Sequence, residues 1–256
     1  RMWAKIMKEQ FGAKNPKSML FRVFAGGNGI TLTAQEPLNN IIRVTMQCLA
    51  SALGGAQAIH APAYDEAFAT PTQESALLAL RTQQILAYES GIAKTVDPLA
   101  GSYYLETLTD ELEKRTWDYM QEIDAQGGLI KAITTGAIQR EVQKRAYETE
   151  RKMQSGEKVV VGVNKFNDEK ASNIDIPIYQ ADESVLKKQK ARLEEVKRTR
   201  EEKMVAEKLK QVQKAAKNME NLFPSILEAV QSYATVGEIT GILREEIGEY
   251  CEPSIF

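Results

Sequence analysis

The chain has 256 residues, 43% of them hydrophobic and 27% charged, and a formal net charge of -2. That length holds one large or two small domains around a real core, and the near-neutral charge offers no electrostatic basis for nucleic acid or an anionic membrane. No run of about 18 apolar residues occurs, the first residues lack the apolar stretch of a signal peptide, and position 1 is Arg rather than Met. A cytoplasmic piece of a longer protein is expected. Two cysteines, Cys48 and Cys251, cannot build a disulfide framework, and one histidine, His60, excludes a conventional His/Cys zinc site within the chain.

Residues 2–11 read as a helix with Met2, Trp3, Ile6, Met7 and Phe11 on one side. Residues 18–24 are a strand candidate, closed by Gly26-Gly27-Asn28-Gly29. Thr33 and Glu36 have the spacing of a capping box, Pro37 follows, and a helix is expected over about 38–53, ended by Gly54-Gly55. Residues 56–60 form a second short strand. Thr70, Pro71 and Gln73 offer an N-cap, a first-turn proline and an N3 glutamine for a helix that ends at Ser90-Gly91. Residues 92–96 read as extended, and a long helix follows over about 104–124.

Strand–helix repeats of this length imply parallel strands joined by crossovers. A doubly wound sheet and a (β/α)8 barrel both fit, and periodicity alone does not choose between them, since a closed barrel needs eight units. Beyond Gly128 the pattern turns helical to about residue 155, followed by a β-branched run at 159–163 and an irregular linker over 164–182, its 174–179 stretch extended. Residues 187–217 carry 12 Lys/Arg against 5 Glu, and Val205, Leu209, Val212, Ala216 and Met219 form one apolar stripe. Two short helices close the chain, about 222–233 and 236–250. The expected divisions are 1–128, strand–helix units; 129–182, a helical segment with a short strand and linker; and 183–256, a basic helical extension.

Three features invite chemistry. The glycines at 26, 27 and 29 follow a strand, but their spacing matches neither common phosphate-binding loop; they suit a tight turn or a close approach of backbone to a large flat ligand. His60 ends the second strand, where parallel α/β folds collect active-site side chains, and Asp65 and Glu66 follow it; a structural histidine with two capping acids fits the same spacing. The basic segment at 187–217 has no aromatic residue on which a base could stack. Its interleaved glutamates read as a solvated helical face.

Several ordered blocks carry a resemblance: LTAQEPLNNIIR at 32–43, GGAQAIH at 54–60, YDEA at 64–67, ATPT at 69–72, RTQQI at 81–85, ESG at 89–91, DPLAGSYY at 97–104, VGVNKF at 161–166 and ATVGEI at 234–239. Together they resemble the methylmalonyl-CoA mutase family of coenzyme-B12-dependent acyl-CoA mutases. The resemblance implies an α/β fold, the C-terminal part of a (β/α)8 TIM barrel followed by a mostly helical extension. It implies a radical isomerase that rearranges the carbon skeleton of a CoA thioester with adenosylcobalamin. It also implies an N-terminal barrel half and a small cobalamin-binding subunit or domain outside this chain, the latter supplying the cobalt ligand; no metal ligand is assigned here.

By position, the resemblance places Lys17, Arg22, Gln57 and Ala58 beside the CoA ester. It places Phe24, Gly26, Pro62 and Glu66 at the cofactor, Glu66 on the adenosyl ribose, and leaves His60 as a possible catalytic group. Departures accompany it. Phe24-Ala25-Gly26-Gly27 replaces the family's His-Thr-Gln-Thr, Ala58 replaces Ser, and Ala61-Pro62 replaces Thr-Asn after the histidine. The expected pocket is therefore more apolar and suits a bulkier or less polar acyl group than methylmalonyl. The same departures leave open a non-catalytic CoA-binding or assembly paralogue.

Overall fold

The computed structural model describes residues 1–27, 29–168 and 175–252. Its chain is a mostly helical α/β structure with two parallel strands, and it divides into two compact units, Arg1–Tyr179 and Gln180–Ser254. Among the described residues no helix is long and apolar enough to cross a membrane.

The first unit opens with α1, Met2–Lys5, which continues as a wider π turn over Ile6–Gln10. Of residues 18–24, expected as a strand, the first two fall in a 3-10 turn, Pro16–Met19, because Pro16 presets a turn and the Asn15 side chain accepts the Lys17 N–H, and 20–23 hold no helix or strand. The strand β1 itself is only Phe24–Gly26. Helix α2, Asn39–Leu53, crosses over to β2, Ala58–His60, and α3 spans Gln73–Tyr88. Residues 92–96 are not a strand: Ile92–Lys94 is a 3-10 turn that starts from left-handed Gly91, with the Ser90 hydroxyl taking the Ile92 N–H. Helices α4, Tyr103–Ala125, α5, Leu129–Thr134, and α6, Ala137–Gln154, complete the unit. The β-branched run at 159–163 contributes one isolated bridge, Val161 to Lys165. Residues 175–179 hold no helix or strand, and Ile174 lies outside the described residues.

β1 and β2 pair in parallel, Phe24 opposite Ala58, Ala25 opposite Ile59 and Gly26 opposite His60. Side chains alternate across a strand, so Ile59 turns inward. There it packs with Leu32, Val44, Cys48 and Ala61, backed by Ala79 and Leu86 of α3. Burial pushes the Cys48 thiol above its ordinary pKa, as befits a small core residue that offers no thiolate.

The start of α2 is set by tertiary bonds rather than by the capping box expected at Thr33 and Glu36. Asn40 is fully buried, and its amide donates to the carbonyls of Thr33 and Tyr64, both at 2.9 Å, while its carbonyl accepts the Thr33 N–H at 3.1 Å. Arg43 donates to the Asn40 carbonyl (2.8 Å), the Thr33 hydroxyl (2.9 Å) and the Val161 carbonyl (2.6 Å). Glu36, at φ 45°, accepts from the Asn39 amide and the Asp168 N–H. A buried amide with every bond made is inexpensive, whereas one left unmade costs several times its net worth. The 32–43 block is thereby tied to the 161–168 loop. That loop is held in turn by Asn164, which accepts the Val160 N–H and donates to Met153 and Lys158 carbonyls.

The second unit is helical: α7, Glu183–Thr199; α8, Glu202–Lys217; α9, Leu222–Gln231; and α10, Val236–Ile247. The basic stretch is thus two helices, interrupted at Arg200. Of the predicted stripe, Val205, Val212 and Ala216 are buried, with Leu209 packed alongside, and Ala229, Ala234 and Ile239 face them; each buried valine contributes roughly 1.5–3 kcal/mol. Met219 is instead exposed, since the helix has ended at Lys217 and Met219 sits at φ 55°.

Arg200 explains the break. Its side chain is 4% exposed and grips Glu238 at 2.7 and 2.8 Å, Glu202 at 3.0 Å and the Tyr233 carbonyl at 3.1 Å. Glu238 also closes a capping box with Thr235 at the start of α10. The guanidinium holds the Glu238 carboxyl well below its ordinary value, at about 2, against desolvation that raises it. Arg200→Met removes charge-assisted hydrogen bonds from a partly buried pair, so it should lower the protection of the Val212 amide against hydrogen exchange by about 1.5–3 kcal/mol. Glu238 is depressed on folding, so its contribution is complete above pH 4.5 and is lost as pH falls toward 2. The stability gap between wild type and Glu238→Gln should close over that window.

Candidate functional site

The side of the sheet opposite the core defines the site. Phe24, Gly26, Ala58 and His60 alternate with the inward residues and all stand exposed on one face, Phe24 at 65%. The register sets Gly26 beside His60, and the Phe24 and His60 rings lie 6.4 Å apart, tilted by 31°. Among the described residues, only the Phe24 ring edge, at 3.5 Å, comes within 4 Å of the position a Gly26 side chain would occupy. The face is therefore a shallow apolar shelf with one imidazole and no charged side chain.

The two ends of the strand pair carry different chemistry. At the N-terminal end, the Gln57 carbonyl accepts the Val23 N–H at 2.7 Å, and its amide donates to the Gly55 carbonyl at 2.9 Å. Lys17 and Arg22 lie, exposed, on the chain that leads into β1. Of the residues expected at the CoA ester, Gln57 and Ala58 stand at the start of β2, and Phe24, expected at the cofactor, stands beside Ala58 at the start of β1. At the C-terminal ends of the pair, which lead on to Pro62 and Glu66, Gly27 donates to the His60 carbonyl at 2.8 Å and two loops leave side by side.

These loops interlock through missing side chains. An ideal Cβ on Gly27 would meet the Pro62 ring at 2.3 and 2.9 Å, and one on Gly29 would meet the Glu66 carboxylate at 2.6 Å. Pro62 is buried and forms the floor beneath Gly27, whereas Glu66 is exposed. Asn28 lies outside the described residues. Of the two readings of the glycines, the turn is seen at Gly29–Thr31, a 3-10 turn, and the close approaches that Gly27 and Gly29 make are to Pro62 and Glu66 of the neighbouring loop.

The loop after β2 is anchored at both sides of Glu66. The Tyr64 carbonyl accepts from Asn40, and buried Asp65 accepts the Thr72 N–H at 3.3 Å. That bond helps place the N-cap of α3 at Thr72, whose hydroxyl accepts the Ser75 N–H, two residues later than the cap expected at Thr70. Spacing alone revealed neither Asn40 nor the Gly29–Glu66 contact, since both are long-range; the run of glycines after β1 was the only local signal. A cleft of about 440 Å³, lined by Ala52, Gln57, Gln83 and Tyr88 among others, opens near the start of β2. Among the described residues no cluster of three His, Cys, Asp or Glu could hold a metal ion.

The sequence matches the family described as methylmalonyl-CoA mutase over residues 1–249. It is 43% identical to the 2-hydroxyisobutanoyl-CoA mutase large subunit of Aquincola tertiaricarbonis, an alignment that covers 100% of this chain and 46% of that protein. It is 38% identical to a methylmalonyl-CoA mutase of Rhizobium meliloti, covering 97% of this chain and 35% of the relative. Identity to the methylmalonyl-CoA mutase large subunit of Porphyromonas gingivalis is 39%, with the same shares. The chain thus spans less than half the length of these relatives. Because the Pro62 ring is fixed to its backbone and cannot swing aside, Gly27→Ala should destabilise the first unit by about 1–3 kcal/mol, read from hydrogen exchange of α2 amides.

Proposed function

Because this chain belongs to the methylmalonyl-CoA mutase family, we propose that it is part of an adenosylcobalamin-dependent acyl-CoA mutase, an isomerase, working in the cytoplasm. In this reading β1 and β2 are neighbouring strands of a TIM barrel completed by an N-terminal half outside the chain. The shelf of Phe24, Gly26, Ala58 and His60 is then a stretch of its inner wall. The observation that carries the reading is that shelf: Phe24, Gly26 and Ala58, expected at cofactor or substrate, and His60, a possible catalytic group, come from two strands and share one exposed face.

The residues present suit such a ligand. Gly26 leaves a flat ledge, and Glu66 offers two acceptor oxygens, as two ribose hydroxyls need. The chemistry that bound adenosylcobalamin supplies is homolysis of a cobalt–carbon bond. This chain's part is to bind, orient and keep water out. Phe24 and Ala58 line the wall with apolar surface, which excludes water from a reactive intermediate. His60 presents the shelf's one titratable side chain, able to donate or accept a hydrogen bond at its ring nitrogens. Gln57 holds the start of the strand pair and keeps one amide hydrogen and one lone pair for the CoA arm. Lys17 and Arg22 supply positive charge for that ester's phosphates. The cobalt ligand comes from a small cobalamin-binding subunit or domain.

An apolar shelf disfavours a second carboxylate on the acyl group, since a buried charge needs a partner. The substrate proposed is a branched acyl-CoA less polar than methylmalonyl-CoA. The complete protein, supplied with its cobalamin-binding partner and adenosylcobalamin, should isomerise such an ester with a higher kcat/KM than methylmalonyl-CoA. Binding of CoA esters with no turnover across a varied panel, and no cobalt(II) signal by electron paramagnetic resonance, would contradict it and favour the assembly paralogue.

A further inference from the structure

The role given above to Glu66 raises the question of what holds its carboxylate in place, and the answer lies on the other strand's loop. The backbone of the Glu66 turn is fixed. Ala61, Pro62, Ala63 and Asp65 are buried, the Glu66 N–H donates to the Ala63 carbonyl at 3.1 Å, and Asn40 and Thr72 bond the residues just before it. Only the side chain beyond Cβ is free to move. Its Oε1 rests 2.6 Å from where a Cβ on Gly29 would stand, and its Cδ 3.4 Å from it. A side chain at position 29 and a carboxylate in this place are mutually exclusive.

Gly29 is not required by its own backbone. It opens a 3-10 turn, Gly29–Thr31, whose geometry alanine adopts freely. What its missing side chain accommodates is Glu66. The contrast with Gly27 is informative. There the neighbour is a proline ring that cannot retreat, so a substitution strains the fold. At Gly29 the neighbour is the tip of a flexible, exposed side chain, so a substitution moves the carboxylate and leaves the fold alone.

We propose that Gly29 is a positioning residue for Glu66: the gap left by its absent side chain seats the carboxylate across the ends of β1 and β2, where it meets the vicinal hydroxyls of a ribose. This rests on the ribose reading of Glu66.

The test is Gly29→Ala in the complete protein with its cobalamin-binding partner, read by equilibrium binding. Adenosylcobalamin carries the ribose on its upper face, and methylcobalamin does not. A displaced carboxylate forfeits charge-assisted hydrogen bonds, so affinity for adenosylcobalamin should fall about tenfold. Affinity for methylcobalamin and the thermal midpoint should stay unchanged. Glu66→Ala should show the same selective loss, and adding Gly29→Ala to it should have no further effect, as expected of two residues that act through one contact. Equal weakening of both cobalamins, or additive losses in the double variant, would overturn the inference. A loss in Glu66→Ala with none in Gly29→Ala would overturn it while leaving the ribose reading intact. Full adenosylcobalamin affinity in Glu66→Ala would remove the ribose reading and this inference together.

Discussion

The parallel register that sets Phe24 opposite Ala58 and Gly26 opposite His60 is the constraint on which the remainder depends. A strand's side chains alternate, so one register both commits Ile59 to the core with Val44 and Cys48 and leaves Phe24, Gly26, Ala58 and His60 outward. A slip of one residue would bury the imidazole and expose the core. Burial on one side of the sheet thus defines the chemistry on the other. Gln57, by bonding Val23 and Gly55 at the start of the pair, helps hold that alignment.

Around this pair the sequence blocks that carry the family resemblance do structural work. Asn40 and Arg43 join the loop before α2 to the Tyr64 carbonyl and the Val161 carbonyl, so three blocks far apart in sequence meet at one buried amide. Asp65 then joins the Glu66 turn to the cap of α3. These are supports rather than ligand contacts, and they explain how Glu66 comes to lie against a glycine turn on a different strand. Arg200 plays the corresponding part in the second unit, where one buried guanidinium joins Glu202, the Tyr233 carbonyl and the cap of α10.

Long periodic elements were legible from local pattern. The helices at Asn39–Leu53, Gln73–Tyr88 and Tyr103–Ala125 follow their apolar spacing and stop signals, and β2 falls inside the run read as a strand. What local pattern missed was decided by distant partners. Thr33 has the look of a helix cap, but Asn40 claims its backbone; Thr70 yields to Thr72, whose N–H Asp65 accepts. The basic stretch looks continuous until Arg200 turns inward to Glu238. At the site, Phe24, Gly26, Ala58 and His60 were nameable from the family resemblance, yet their common face follows only from the register. The reason for Gly29 lies 37 positions away in Glu66, beyond the reach of any spacing rule.

The most direct test asks whether the shelf faces a ligand. Ala58→Cys, in the complete protein with exposed Cys251 changed to Ser, places a thiol at the shelf's centre, and Met219→Cys serves as an exposed control in the other unit. The rate of alkylation by a small reagent is then compared with and without acyl-CoA and adenosylcobalamin. The account predicts that the ligands slow labelling at position 58 at least tenfold and leave position 219 unaffected. Equal rates at position 58, under conditions where both ligands are shown to bind, would contradict it.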